Sequence, residues 1–165
     1  MKTAFLTADL YDAFEKECTS CAIQFQQYGG RRVFSGRVRT VRCFDDNALL
    51  KGVLGEPSDG GVLVVDGNGS FASALIGDLI AEIGRKSGWS GVIVYGAIRD
   101  IPAMVQLDFG LKALGANPRK SLKHGTGEVD VAVGFGGAVF TPGYWVYSDE
   151  DGILVSSKEL ILPPP

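Results

Sequence analysis

Asp78, followed after twenty intervening residues by Arg99 and Asp100, is the pattern in this chain best suited to chemistry. Each end of it lies just beyond a short apolar run that reads as a strand. Carboxylates supply the hard oxygens that a divalent cation takes, and an arginine supplies a fixed positive donor for an enolate. Adjacent residues on an extended exit point opposite ways, so Arg99 and Asp100 are expected to do separate jobs. Asp100 would ligate a metal and Arg99 would face a ligand oxygen. Read as a surface ion pair, the two would contribute little. Asp78 alone would be explained by its charge favouring a first helical turn, but that leaves the matching Arg99-Asp100 unaccounted for. If a helix is entered at Gly77-Asp78-Leu79-Ile80, its first amides point at the same mouth and could grip a substrate carboxylate.

The elements that must position these groups are clearest in the centre of the chain. Val62 to Asp66 is a continuous apolar run, as in a strand buried on both faces of a parallel sheet. A helical pattern runs from about Ser73 to Lys86 with apolar Ile76, Leu79, Ile80 and Ile83, and Gly88 ends it. Gly91 to Tyr95 is the next buried strand, and Gly96 to Asp100 its exit. A further helix is expected from Pro102, a residue suited to a first turn, to just before Gly115. Such a strand-helix-strand-helix unit implies parallel strands and a right-handed crossover, with ligand groups at the carboxyl ends of the strands.

The flanks read less sharply. Thr7 or Asp9 can cap a helix reaching about Glu17. Val33 to Phe44 suggests strands with Gly36 as a candidate bulge. The stretches 45–47 and 55–61 read as loops. After Lys123 and His124, in a polar loop that could close over the mouth, short strands at 129–133, 138–140, 144–147 and 153–155 suggest an antiparallel layer. The fold class is therefore α/β, a single domain over 1–165 with a parallel βαβ unit beside an antiparallel layer.

Two other motifs carry less. Gly67-Asn68-Gly69-Ser70-Phe71-Ala72 fits G-x-G-x-x-A, but the second strand ends at Tyr95-Gly96 without the acidic residue that a nicotinamide ribose needs. A tight turn explains it. Cys18 and Cys21 form a Cys-x-x-Cys pair that closes a helical pattern rather than opening one, so half-buried helix residues are expected in place of a redox pair. Cys43 and His124 supply no second close ligand pair for zinc.

With 165 residues, 45% hydrophobic and 21% charged, the composition is that of a globular domain. A net charge of −3 gives no long-range attraction to nucleic acid or anionic membranes. The N-terminal stretch is broken by Asp9 and Asp12, no run approaches a membrane span, and the cytoplasm is the expected compartment.

The residues collected so far resemble the RraA-like family, which includes the regulator of ribonuclease activity A and the 4-hydroxy-4-methyl-2-oxoglutarate aldolases. The likeness runs from Val62-Leu63-Val64-Val65-Asp66-Gly67 through Ala74 to Asp78, Gly88-Trp89-Ser90-Gly91 and Gly96 to Asp100. It continues into Asp130-Val131-Ala132-Val133, Phe135-Gly136-Gly137 and Tyr147 to Ile153. The resemblance implies a three-layer β/β/α fold of the swivelling type, assembled as a homotrimer or hexamer. It implies substrate-carboxylate binding by Gly77, Asp78, Leu79 and Ile80, keto-oxygen binding by Arg99, a Mg²⁺ or Mn²⁺ ion at Asp100, and a water held by Asp78. Non-aldolase members tend to have glycine at the first position and an acidic residue three after the Arg-Asp pair. Asp78 and Ala103 stand there in this chain, which places the expectation on the enzyme side. The expected reactions form a pyruvate enolate, by oxaloacetate decarboxylation or by cleavage of 4-hydroxy-4-methyl-2-oxoglutarate-type acids. The alternative is a non-catalytic regulator that binds a ribonuclease or its helicase partner.

Overall fold

A computed structural model describes residues 5–164; the first four residues of the N-terminal stretch and Pro165 lie outside it. The chain begins with helix α1 (Thr7–Phe14), short strands β1 (Cys18–Ser20) and β2 (Gln26–Gln27), and the long strand β3 (Phe34–Arg42). The centre holds α2 (Ala48–Leu54), β4 (Val62–Asp66), β5 (Ala74–Ile76), α3 (Asp78–Lys86), β6 (Gly91–Ile98) and α4 (Ile101–Met104). Strands β7 (Gly110–Ala116), β8 (Glu128–Val129), β9 (Val133–Phe135), β10 (Ala138–Phe140), β11 (Trp145–Ser148) and β12 (Ile153–Ser156) complete it.

Ten strands share one mixed sheet whose main path is β1-β12-β11-β3-β4-β6-β7-β2, with β5 beside β6 and β8 beside β3. Strand β3 belongs to two layers. Its residues Phe34 to Arg37 pair antiparallel with β11, and Val38 to Arg42 pair parallel with β4. Strands β4, β6 and β7 continue in parallel. The apolar run 62–66 is buried on both faces because both are covered. Leu63 and Val65 pack with residues of α2 and α3, while Val62 and Val64 pack with β9 to β12. Each such fully buried side chain contributes roughly 1.5–3 kcal/mol. The result is the three-layer β/β/α arrangement.

Several boundaries differ from the sequence reading. The helical pattern from Ser73 splits: Ala74 to Ile76 are buried as β5, paired parallel with β6, and α3 starts only at Asp78. Sheet pairing overrode the helical spacing of Ile76. The helix at Pro102 is one turn long, and residues 110–116 form a parallel strand instead. Helix α1 stops at Phe14 with Leu6 in the cap position, and Thr7 and Asp9 do not cap it. Cys18 lies in β1 rather than in a helix, and Cys21 just past it is buried. Gly36 is no bulge, since the β3–β11 register is unbroken; a side chain there would collide with the Gly60 carbonyl. Helix α2 was not foreseen at all.

Candidate functional site

The central juxtaposition follows from β5. Because Ile76 pairs with Ile98 and Arg99 N–H donates to the Ile76 carbonyl (3.0 Å), the carboxyl ends of β5 and β6 lie side by side. Gly77-Asp78 and Arg99-Asp100 leave them together. The Asp78 N–H donates to Asp100 Oδ2 at 3.0 Å, tying the start of α3 to the exit of β6. Asp100 sits in the left-handed region (φ 65°), a conformation sparsely used by non-glycine residues and frequent at functional sites. Its own carbonyl accepts from Ala103 and Met104 N–H, so the unusual turn is what starts α4.

Gly77 explains how close the two exits come. A Cβ on it would stand 2.7 Å from Asp100 Oδ2 and 3.4 Å from Arg99 Nε. The N–H groups of Leu79 and Ile80 belong to the first turn of α3, where intrahelical acceptors do not exist. They form the positive end of the helix dipole, which favours a carboxylate. Arg99 is held from behind by its Nη1 donating to the Pro118 carbonyl (3.2 Å).

Gly77, Asp78, Leu79, Ile80, Arg99 and Asp100 thus line one cavity of about 110 Å³. The opposite wall comes from residues of which sequence reasoning singled out only Lys123. Asn47 is the residue that precedes α2 and Lys51 lies on it, while Lys120, Ser121 and Lys123 arrive on the loop after β7. That loop is zipped to β5: Ala74 N–H donates to the Arg119 carbonyl (2.7 Å) and Ser121 Oγ to the Ala74 carbonyl (2.7 Å). Asn47 bridges further, its N–H to the Leu122 carbonyl (3.0 Å) and its Nδ2 to the Leu75 carbonyl (3.2 Å). Buried Asp46 fixes the far end, accepting from the N–H groups of Ala48, His124 and Gly125 and from the Thr126 hydroxyl. Burial alone would raise the Asp46 carboxyl, but these donors hold it below the ordinary carboxylate range. Lys123 therefore does reach the mouth, whereas His124 serves through its backbone.

The balance of charge favours anions. Lys51, Lys120, Lys123 and Arg99 outnumber Asp78 and Asp100 at the cavity, and among the described residues none of these four cations makes an ion pair. Among the described residues no cluster of three or more His, Cys, Asp or Glu side chains gathers. A fully protein-made cage is thus not what this mouth offers. Asp100 supplies the kind of carboxylate that a hard cation such as Mg²⁺ takes, since that ion is held by one or two carboxylates and completes its shell with water and substrate oxygens.

The remaining motifs take structural places. The glycine bend at 67–70 is pinned by Gly67 and Gly69 N–H donating to the Tyr95 carbonyl, and it feeds a strand rather than a helix. The three cysteines are free thiols. Burial pushes Cys43 up to about 12, aided by the nearby carboxylates of Asp46, Asp66 and Asp45.

A model of the RraA-like family, described as Aldolase/RraA, matches residues 7–155. A Geobacillus kaustophilus structure described as an S-adenosylmethionine:2-dimethylmenaquinone methyltransferase is 44% identical, with a TM-score of 0.94 over 98% of this chain and 100% of the other. The RNA-processing inhibitor RraA of Thermus thermophilis is 43% identical, with a TM-score of 0.91 over 100% of this chain and 96% of its own. A Streptomyces coelicolor protein described as an unusual member of the RNase ES inhibitor RraA family is 26% identical, covers 93% of this chain and 80% of its own, and has a TM-score of 0.75.

Proposed function

The chain belongs to the RraA-like family, and from that premise we propose that it is a divalent-metal-dependent lyase forming a pyruvate enolate from small 2-keto acids. The family holds aldolase and decarboxylase members as well as ribonuclease inhibitors. The observation that carries the enzymatic reading is the 3.0 Å bond from Asp78 N–H to Asp100 Oδ2, which brings Asp78, Arg99 and Asp100 to one anion-favouring cavity.

In this reading the segment Gly77 to Ile80 holds the substrate's C1 carboxylate through the N–H groups of Leu79 and Ile80, using the positive end of α3, while the Asp78 N–H stays with Asp100. Arg99 faces the keto oxygen and stabilises the negative charge that gathers there when the C3–C4 bond breaks. Asp100, with one oxygen bonded to Asp78 N–H and the other available, would hold Mg²⁺ or Mn²⁺. The ion, when bound, would supply Lewis-acid polarisation of the keto group. For oxaloacetate, loss of carbon dioxide requires no further base. For 4-hydroxy-4-methyl-2-oxoglutarate-type acids, a water held by Asp78 takes the C4 hydroxyl proton. Protonation at C3 then gives pyruvate.

A cytoplasmic homotrimer or hexamer accords with the same family membership. Within the described residues no helix is long and apolar enough to cross a membrane. The names of the Thermus and Streptomyces relatives favour a second reading, in which the chain binds and restrains a ribonuclease or its helicase partner.

The test is an oxaloacetate-loss assay with Mg²⁺, with chelator, and with Arg99→Ala. Turnover is expected only in the first. Full turnover under chelation removes the metal from the scheme, and full turnover of Arg99→Ala removes the guanidinium. Absence of turnover under all conditions, with capture of purified ribonuclease, selects the regulatory reading.

A further inference from the structure

Beside the cavity runs a groove of about 590 Å³ between α2 and α3, sharing Asn47, Lys51 and Lys123 with it. Its floor is carbon-rich, made by Ala48, Gly52, Gly55 and Ile83. Gly52 is the informative residue. It lies inside α2, is exposed, and a Cβ added to it would meet nothing within 4 Å. Alanine would fit there and would stabilise the helix by about 1 kcal/mol. Packing within the chain therefore gives no reason for the glycine. Gly84 of α3 shows the contrast: its added Cβ would press on Leu54 and Phe109 at 3.1 Å, which is a packing reason. The space above Gly52 is open.

We infer that the groove seats an extended apolar substituent of the 2-keto acid whose head occupies the cavity; this rests on the lyase reading above. Size supports it. Sites for small molecules commonly span roughly 300–1,000 Å³, and the cavity alone falls short of that while cavity and groove together reach it. Continuity supports it too, because the shared residues Asn47, Lys51 and Lys123 make the groove the cavity's side exit. The two lysines fit this junction: their ammonium groups can stay with the substrate's carboxylates while their methylene stems prolong the apolar floor. The substrates implied are 4-hydroxy-2-keto acids that carry an aliphatic chain beyond C4, because the 4-hydroxyl must become the carbonyl of the departing fragment.

Calorimetric titration of the whole protein with Mg²⁺ and a linear series tests this: pyruvate, 2-oxobutanoate, 2-oxohexanoate and 2-oxooctanoate. Affinity is expected to rise two- to fourfold per added methylene. Gly52→Phe should collapse the octanoate-to-pyruvate affinity ratio toward one, while Gly52→Ala should keep most of it. A flat series with measurable pyruvate binding overturns the groove and leaves the lyase reading intact. A ratio unmoved by Gly52→Phe overturns it as well. Loss of self-association by Gly52→Phe in sedimentation overturns it in favour of a second copy lying in the groove. No binding by any member overturns both the groove and the 2-keto acid head.

Discussion

Asp149 and Asp100 each follow a strand and each accept backbone N–H, yet the regions around them are opposites. Asp149 is 4% exposed, and its carboxylate takes the Thr7 N–H (2.7 Å), the Thr7 hydroxyl (2.6 Å) and the Asp151 N–H (3.0 Å). Lys112, also buried, donates to the carbonyls of Asp149 (2.5 Å) and Gly152 (3.2 Å). Both buried charges there are engaged by the fold, clamping α1 and the β11–β12 turn to β7. Asp100 is exposed, accepts a single N–H, and stands among cations that make no ion pair among the described residues. A charge satisfied internally stabilises; a charge left unsatisfied at a cavity awaits a ligand. The two regions should therefore respond to substitution in opposite currencies, one in stability and the other in turnover.

The sharpest test of that division is at Arg99. Arg99→Ala should lower oxaloacetate turnover by roughly 10²–10³-fold, while its unfolding free energy in urea stays within about 0.5 kcal/mol of the parent, as for substitutions outside the core generally. A large fall in stability would break the comparison. Asp149→Ala should do the reverse. Stranding the buried Thr7 donors and unbalancing Lys112 should cost about 2–4 kcal/mol in denaturant unfolding, and the metal-dependent affinity of the folded variant for pyruvate should not move.

A pH series sharpens it next. Burial pulls Lys112 down to about 8, against the partial support of Asp149. Between about pH 8 and the ordinary lysine value the unfolded chain then binds more protons than the native one, so stability from this group rises with pH across that window. The rise should be on the order of 2 kcal/mol, and Lys112→Met should remove it from the difference between the two unfolding-versus-pH curves. A parallel pair of curves would mean that Lys112 titrates normally. The smallest effect is at Gly52, where alanine should add about 0.5–1 kcal/mol of stability, read as a higher urea midpoint.

How much of this could be read from the residues depended on whether local and tertiary signals agreed. Strands β4 and β6 were legible because unbroken Val, Leu and Ile runs suit only a sheet covered on both faces. Arg99 and Asp100 were legible for the same reason, since they mark the end of β6, whereas Asp78 follows β5 and stood out through its spacing from them. Strand β5 was hidden because Ile76 fits the spacing of the helix that follows, and only its pairing with β6 decides the matter. Strand β7 was hidden by Gly110, Gly115 and above all Lys112, a charged residue at a buried position whose partners lie 37 and 40 residues away. Helix α2 carries Leu50, Val53 and Leu54 at helical spacing, but Gly52 interrupts the pattern. With α2 unseen, Asn47 and Lys51 could not be placed, and their part of the cavity wall went with them.

The double membership of β3 has a consequence for the chain as it is made. Phe34 to Arg37 find their antiparallel neighbour only in Trp145 to Ser148, more than a hundred residues later in synthesis. Until that late segment leaves the ribosome, a nascent polypeptide carries an open hydrogen-bonding edge that can recruit stray strands. Completion of β11 closes it and welds the two β layers into one cooperative unit.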